Sequence, residues 1–584
     1  MSGNAGLNTG KRGLWAWLWN WFKPFRKHLV LITIFALLQV FISPARPYII
    51  QQIVDKAIIP KDQTLLIELT LLVVAVLIAE AIVRFFFLYW ARYVGQMIVW
   101  NIRRELFRHL IRQSIVMFDK IPSGVITTRL SNDSEAIRQV FSEEGLSIFA
   151  DILTVFIVAG IMFWTDARLA LLTLSVVPPF LLIMYFFQKY VRSVFDRIRK
   201  AITKLNIYLQ ERIGGLLLIH SFASFDKEKR IFSQLNNDIL KANIKAVRVY
   251  ATFFPIVEFI FAVSLAILAG MGSLSVIEGV TSPGTLVAFV LYINLMLRPL
   301  RFIADKFNTL QMGIVAAKRI YDLFNTYEPE PPEGPRKITE IKTVSFDNVW
   351  FSYPTQEENQ YALRNVNLSV EKGKQIMLIG DTGAGKTSII NLILGYYAPT
   401  KGDVLVNNIS VKEINRNSLR QRIGYAPQEP VIFEGSILEN ITLGRDISHQ
   451  WVIQQAKELD LWDLFKHLPD ELLTRINNAM ELSSGQKQAI SILRAWCQTP
   501  DLMILDEATS ALDYQTEQVI HSVLNSLKSK IGIIFISHRL TFIEHMDEVY
   551  LIRKGEIIAH GSPQQLFKES EEYKALLSSA QGQS

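Results

Sequence analysis

The sequence is poor in the features that would staple or solubilise it. It has one cysteine, Cys497, which excludes an internal disulfide framework and a metal site built from several thiolates. Charge is scarce: 20% of residues are Asp, Glu, Lys or Arg, while 50% are hydrophobic. That balance excludes a disordered chain and argues against a purely soluble multidomain enzyme. The surplus of basic residues is only +7 over 584 residues, too thin for a nucleic-acid footprint, so no nucleic-acid partner is expected. Cytoplasmic loops of a membrane protein would absorb the whole excess. No apolar core with a small-residue cleavage site opens the sequence, so no secretory leader is expected. The chain is too long for one ordinary domain, and its long apolar runs are missing from the second half.

What the first half has is apolar length. Six runs meet the roughly 20 mostly apolar residues that a membrane-spanning helix needs: 29–50, 65–90, 146–164, 169–187, 252–273 and 284–303. Only residues 165–168 separate the third from the fourth, which predicts a tight helical hairpin. Basic residues set the orientation. Lys11, Arg12, Lys23, Arg26 and Lys27 precede the first run, and the connections after runs two and four are rich in Arg and Lys. The three opposite connections hold only Lys56, Lys61 and Arg168. Both termini and both long loops are therefore expected on the cytoplasmic side of the cytoplasmic membrane. Trp15, Trp17, Trp19 and Trp21 predict a short helix lying on the inner leaflet. The long loops read as helices, with 102–117 and 191–213 in helical period. Each has one break, at 121–124 and at Gly214-Gly215. Polar residues inside the runs include Glu68, Glu80, Arg84, Glu258 and Arg298. Glu80 and Arg84, four apart, predict an internal ion pair. Glu258 has no such neighbour and is the better candidate for a cavity, in a structural or a substrate-contacting role.

Residues 326–342 mark a composition shift, with Pro329, Pro331, Pro332 and Pro335 among acidic residues, and predict a semi-extended connector. An α/β pattern follows. Strand-like runs 344–351 and 375–379 precede the loop Gly380-Asp381-Thr382-Gly383-Ala384-Gly385-Lys386-Thr387, and a helix is expected over 388–395. This is G-x-x-x-x-G-K-[ST] in strand–loop–helix context. Its glycines turn backbone N–H groups onto phosphate oxygens, and the helix N-terminus adds its positive end. Lys386 would reach the outer phosphates and Thr387 would ligate Mg²⁺. The apolar strand 502–506 ends in Asp506, suited to the Mg²⁺ shell. Glu507 comes next and could polarise the attacking water. His538 follows another strand, 531–537. Groups at the C-terminal ends of three strands converge where open α/β sheets bind ligands.

Leu482-Ser483-Ser484-Gly485-Gln486 lies about 20 residues before Asp506. In that order these motifs resemble the nucleotide-binding domain of the ATP-binding cassette superfamily, whose signature loop usually reads LSGGQ. With six spans ahead, the chain resembles a half-transporter of the exporter class. The resemblance implies an α-helical membrane domain followed by an α/β P-loop ATPase domain. Boundaries are expected at 1–28 for the cytoplasmic N-terminal segment and interfacial helix, 29–325 for the membrane domain, 326–342 for the linker, 343–576 for the ATPase domain and 577–584 for the tail. It implies that Tyr353 stacks on adenine and that Gly380 to Ser388 hold the phosphates. It implies that Gln428 senses Mg²⁺ and water, alongside Thr387 and Asp506. Ser483, Ser484, Gly485 and Gln486 would close over another subunit's γ-phosphate. Glu507 would be the catalytic base, His538 the switch and 510–513 the crossing loop. Residues 118–133 and 210–222 resemble the two coupling loops.

The implied activity is ATP hydrolysis driving export of an amphipathic drug, lipid or peptide. An ATP-gated channel or a regulatory membrane protein would be the competing readings; Glu507 argues against the channel, and intact Tyr353, Lys386, Gln428, Glu507 and His538 together argue against the regulatory protein. The chain departs from the family pattern at Ser484, where glycine is usual, and just before it, at 477–481. That combination of intact acids and altered signature puts a heterodimer with a second half-transporter ahead of a homodimer.

Overall fold

The computed structural model describes residues 13–141, 143–326, 333–354, 360–477, 481–506, 514–537 and 540–575. It divides into two compact units, Met1–Ile111 with Gly124–Thr326, and Arg112–Ser123 with Tyr327–Ser584.

The first unit is all helix. In chain order come α1 (Leu14–Phe22), α2 (Arg26–Gln52), α3 (Gln63–Leu110), then α4 (Ile115–Lys120), which belongs to the second unit, α5 (Ser123–Thr128), α6 (Ser134–Phe141), α7 (Glu143–Thr165), α8 (Ala167–Leu174), α9 (Val177–Gly214), α10 (Leu216–Ser221), α11 (Phe225–Ile277) and α12 (Pro283–Asn325). Among the described residues, five helical stretches are long and apolar enough to cross a membrane, and α12 adds a shorter one, Pro283–Met296. Large apolar side chains such as Phe41, Leu71, Phe85 and Phe259 lie exposed along them. A water-soluble bundle would bury these, whereas a bilayer solvates them.

Short polar caps set the ends. The Asp62 side chain accepts from the Leu65 amide at 3.0 Å and starts α3. Asp166 accepts from the Arg168 and Leu169 amides at 3.0 and 3.1 Å, closing the α7–α8 hairpin where the sequence predicts it. The fourth run is not one rod, because α8 and α9 part at Ser175-Val176, just before Pro178-Pro179. Proline disfavours helix in the residue before it and lacks the N–H of the ladder. The helical period expected over 102–117 is likewise interrupted: α3 stops at Leu110 and α4 begins at Ile115. The breaks at 121–124 and Gly214-Gly215 fall where expected.

The expected Glu80–Arg84 pair does not form. Glu80 faces α2, accepting from Ser43 Oγ at 3.1 Å and pairing with Arg46 at 3.8 Å, while Arg84 is exposed. Interhelical packing offers Glu80 a half-buried partner, and the local pair would have kept it at the surface. Glu68 and Glu258 are exposed, and the Arg298 side chain lies outside the described residues. Lys306 of α12 donates to Ser147 Oγ at 2.8 Å and pairs with Asp151, tying α12 to α7. At the end of this unit that holds the short connections, Asp55 accepts from Ser282 Oγ at 2.5 Å and the Gly284 amide at 2.7 Å. Gln51 donates to Thr285 Oγ1 at 2.8 Å, and Asp166 accepts from Thr281 Oγ1 at 2.6 Å. On α1, Trp17 packs on Trp21 and Tyr321 with ring centroids 6.0 and 5.7 Å apart, while Trp15 and Trp19 stay exposed.

The second unit holds β1 (Thr343–Phe351), β2 (Leu363–Glu371), β3 (Gln375–Ile379), β4 (Lys401–Val406), β5 (Ile409–Ser410), β6 (Ile423–Ala426), β7 (Gly435–Ser436), β8 (Arg475–Ile476), β9 (Leu502–Asp506), β10 (Gly532–Ile536), β11 (Glu548–Arg553) and β12 (Glu556–Gly561). They form a four-stranded sheet, β2-β1-β4-β5, a six-stranded sheet, β12-β11-β3-β10-β9-β6, and the pair β7-β8. In the larger sheet β11, β3, β10, β9 and β6 run parallel. β3, β9 and β10 are buried end to end, as continuous apolar runs require of parallel strands. Around the sheets pack α13 (Lys386–Ile393), α14 (Arg416–Gln421), α15 (Ile437–Thr442), α16 (His449–Glu458), α17 (Ser484–Trp496), α18 (Tyr514–Leu527) and α19 (Pro563–Glu569). α4 docks here: Val116 joins the core cluster of Phe351 and Tyr397, and Asp119 accepts a hydrogen bond from the Tyr397 hydroxyl. The described part of the connector lies along the same unit, with Arg336–Glu413 at 3.2 Å and Arg416–Glu333 at 3.7 Å.

Candidate nucleotide site

The site grows from β3. Its apolar side chains fix it in the sheet centre, and the chain then turns through Gly380, Gly383 and Gly385, at φ of 153°, 81° and 109°. Gly380 admits no side chain, because a Cβ there would sit 2.1 Å from the Ile552 carbonyl oxygen. Gly385 is the N-cap of α13 in left-handed backbone, with no side-chain cap. The first N–H groups of α13 are thus left for a ligand, and anions suit them. Because Gly385 takes that role, α13 begins at Lys386, two residues before the expected start.

Lys386 is buried, and its Nζ donates to the carbonyls of Gly380 and Asp381 at 2.6 and 2.8 Å. Burial lowers its pKa, against the raising influence of Asp381 and Asp506. Asp506 ends β9, buried, and accepts from the Tyr425 hydroxyl at 3.4 Å. Burial raises its pKa, opposed by that hydrogen bond and by Lys386. A buried carboxylate and a buried ammonium beside open helix N–H groups form a donor set that fits a polyphosphate with a divalent cation.

A cavity of about 900 Å³ opens over the loop. It brings together Tyr353, Thr382, Gly383, Gly385, Lys386, Thr387, Ser388, Gln428 and Asp506, all anticipated from the sequence. Asp381 and Ala384 shape the loop beneath, where the Ala384 amide donates to the Asp381 carbonyl at 3.1 Å. The Tyr353 hydroxyl shares a hydrogen bond with Ser388 Oγ at 3.0 Å and accepts from Asn391 Nδ2 at 3.2 Å. Tyr361, Arg364 and Lys554 also line the cavity. No motif marks them, since they come from the start of β2 and the β11–β12 turn. The two cations add positive charge where phosphates would lie.

The signature lies elsewhere. Ser483 caps α17 in a capping box with Gln486, and Gln486 Nε2 donates to the Leu464 carbonyl at 3.0 Å. Ser484 is the first residue of α17, and Ser483, Ser484, Gly485 and Gln486 do not line the cavity. Ser484 is not among the left-handed residues, so serine fits its own backbone without strain. Glu507, His538 and 510–513 lie outside the described residues.

Residues 29–300 match the family model for the ABC transporter transmembrane region, and 363–510 match the one for ABC transporters. The chain is 30% identical over 571 residues to the uncharacterized ABC transporter ATP-binding protein YfiC of Bacillus subtilis (strain 168), covering 96% of this chain and 93% of that one. YknU, named likewise in the same organism, is 30% identical over 560 residues, 95% of each chain. An ATP-dependent lipid A-core flippase of Pseudoalteromonas translucida is 30% identical over 543 residues, 92% of each chain.

Proposed function

We propose a function from one premise: the chain belongs to the ABC transporter family, as a multi-pass membrane protein whose ATPase region hydrolyses ATP to drive transport. The cargo is an amphipathic molecule exported or flipped across the cytoplasmic membrane, with both termini cytoplasmic. The observation that carries this reading is the phosphate loop on the central strand, with Lys386 and Asp506 at the same sheet edge, in a chain whose other half is apolar helix. A lipid cargo has the flippase relatives on its side.

The residues divide the work. Tyr353 would hold the adenine. The 380–388 loop would hold the phosphates through backbone N–H groups, and Lys386 would leave its loop carbonyls for the outer phosphate oxygens. Thr387, Gln428 and Asp506 would hold Mg²⁺, which when bound adds positive charge against the phosphates. Glu507 takes the proton of the attacking water, and His538 orients the groups around it.

One chain is half a transporter, and the architecture points to a dimer. The signature and the loop of one chain do not meet, so the sites complete each other between chains. The α10 tip supports a covering partner, with Leu217 79% and Phe222 76% exposed in a segment outside the apolar runs. A different half-transporter is favoured over a second copy. Ser484 would place a Cβ where glycine lets the backbone approach another subunit's phosphate.

The test is ATPase activity in liposomes, screened across lipids, drugs and peptides. Cargo should stimulate turnover, and Glu507→Gln should keep ATP binding while cutting hydrolysis on the order of 10²-fold. Normal turnover in Glu507→Gln would remove that residue from the role. Robust, cooperative hydrolysis by the chain alone, unchanged in Ser484→Gly, would make the homodimer correct.

A further inference from the structure

A groove of about 810 Å³ runs between α9 and α11, well away from the nucleotide site in sequence and in unit. Its α11 wall is one stripe. Lys241, Lys245 and Arg248 recur at intervals of four and three, and Thr252 and Ile256 continue the same face. At 1.5 Å per residue, the cations span about 10 Å and the whole stripe about 22 Å. The stripe therefore changes from cationic to apolar along its length. The change falls at residue 252, where the apolar run of α11 begins. The α9 wall does the same, with Ile183 and Phe187 in its apolar run and Tyr190 just past it. Phe187 and Phe253 stack at 3.5 Å to make the floor, and Lys245 Nζ lies 5.8 Å from the Tyr190 ring centroid.

Lys241 and Lys245 are like charges one turn apart, an arrangement that destabilises a helix unless an anion offsets it. None of the three cations pairs with a carboxylate among the described residues. A cationic mouth joined to an aromatic and aliphatic floor, at the depth where the apolar runs end, complements an anionic headgroup with a chain beneath it.

We propose that this groove is a binding site for one anionic phospholipid of the adjoining leaflet. Lys241, Lys245 and Arg248 clasp its phosphate, and the upper part of one acyl chain lies along Phe187, Phe253 and Ile256. The site rests on this unit spanning a membrane and not on the identity of the cargo.

The test is native mass spectrometry of the delipidated full-length protein, titrated with palmitoyl-oleoyl-phosphatidylglycerol or with the phosphatidylcholine of the same chains. The wild type should hold one phosphatidylglycerol per chain and prefer it about tenfold or more. Lys241→Gln/Lys245→Gln/Arg248→Gln should erase that preference. The charge-keeping Lys241→Arg/Lys245→Arg/Arg248→Lys should retain it. Lys227→Gln/Lys229→Gln/Arg230→Gln removes the same charge from exposed positions on the same helix and should change nothing. Basal ATP turnover equal to wild type in each variant shows that it is folded. Equal losses in both glutamine triples would reduce the effect to diffuse attraction and overturn the site. So would displacement of the lipid by millimolar inorganic phosphate, or lipid binding that appears only when the dimer is dissociated, since a second chain would then fill the groove.

Discussion

Tyr397→Phe tests how α4 is held. Tyr397 is 5% exposed, and its ring lies 5.5 Å from Phe351 and 5.1 Å from Tyr353, centroid to centroid. Its hydroxyl is bonded to Asp119 of α4, and burial, followed by that bond, raises its pKa. Phenylalanine keeps the ring contacts and deletes only the hydroxyl. A hydrogen bond to a charged group contributes about 1.5–3 kcal/mol. Asp119 is exposed, so the lower end applies, and about 1.4 kcal/mol is a factor of ten in an opening equilibrium. In hydrogen exchange of the full-length protein, the Met117 and Ile121 amides, bonded within this segment to Ser114 and Met117 carbonyls, should exchange about tenfold faster. Peptides over β3 should not change, and ATP affinity should stay within about twofold, because the Tyr353 contact survives. Unchanged exchange at 115–121 would show that apolar packing of Val116 holds the segment without the hydroxyl. Faster exchange everywhere would show a global effect and refute the local account.

Gly380→Ala forces a Cβ against the Ile552 carbonyl; about 1–3 kcal/mol of overpacking should appear as a lower melting temperature and weakened binding of a fluorescent ATP analogue, and wild-type values in both would contradict the loop geometry. Asp55→Asn removes the charge from the acceptor of Ser282 and Gly284, so the Gly284 amide should exchange on the order of tenfold faster, and no change there would mean the carboxylate is dispensable. In a Cys497→Ser background, cysteines at Lys61 and Glu278 should react with an impermeant thiol reagent from outside, and those at Arg129 and Ser221 should not. Outside labelling at Arg129 would break the six-span reading.

The sequence exposes what depends on local pattern. The apolar runs, the 165–168 hairpin with its Asp166 cap and the β3–loop–α13 unit all follow from spacing that neighbours in sequence can satisfy. Long-range pairing is hidden. Arg46–Glu80 joins two successive helices and Lys306–Asp151 two helices far apart in the chain, and the i,i+4 rule misled for Glu80 because it weighs only neighbours on one helix. The interruption before α4 carries no Gly or Pro at 111–114, so only the docking of Val116 and Met117 reveals it. Tyr361, Arg364 and Lys554 reach the cavity through sheet topology, which no spacing encodes.

The bonds around 281–285 bear on how the helices can move. The connection from α11 to α12 is tied on one side to the α2 end, through Asp55 and Gln51, and on the other to the α7–α8 hairpin, through Asp166. The ends of α2, α7, α8, α11 and α12 are thereby held together through one connection. A swing of α12 alone would take Ser282 and Gly284 from the Asp55 carboxylate, while Asp166 would keep its α8 amides and lose only Thr281. The cheaper motion carries α2, the hairpin, α11 and α12 as one lever. Any parting at this end of the unit then falls between that lever and something outside it, and the bending falls farther down the helices, beyond 281–285, where Lys306 and Asp151 join α12 to α7.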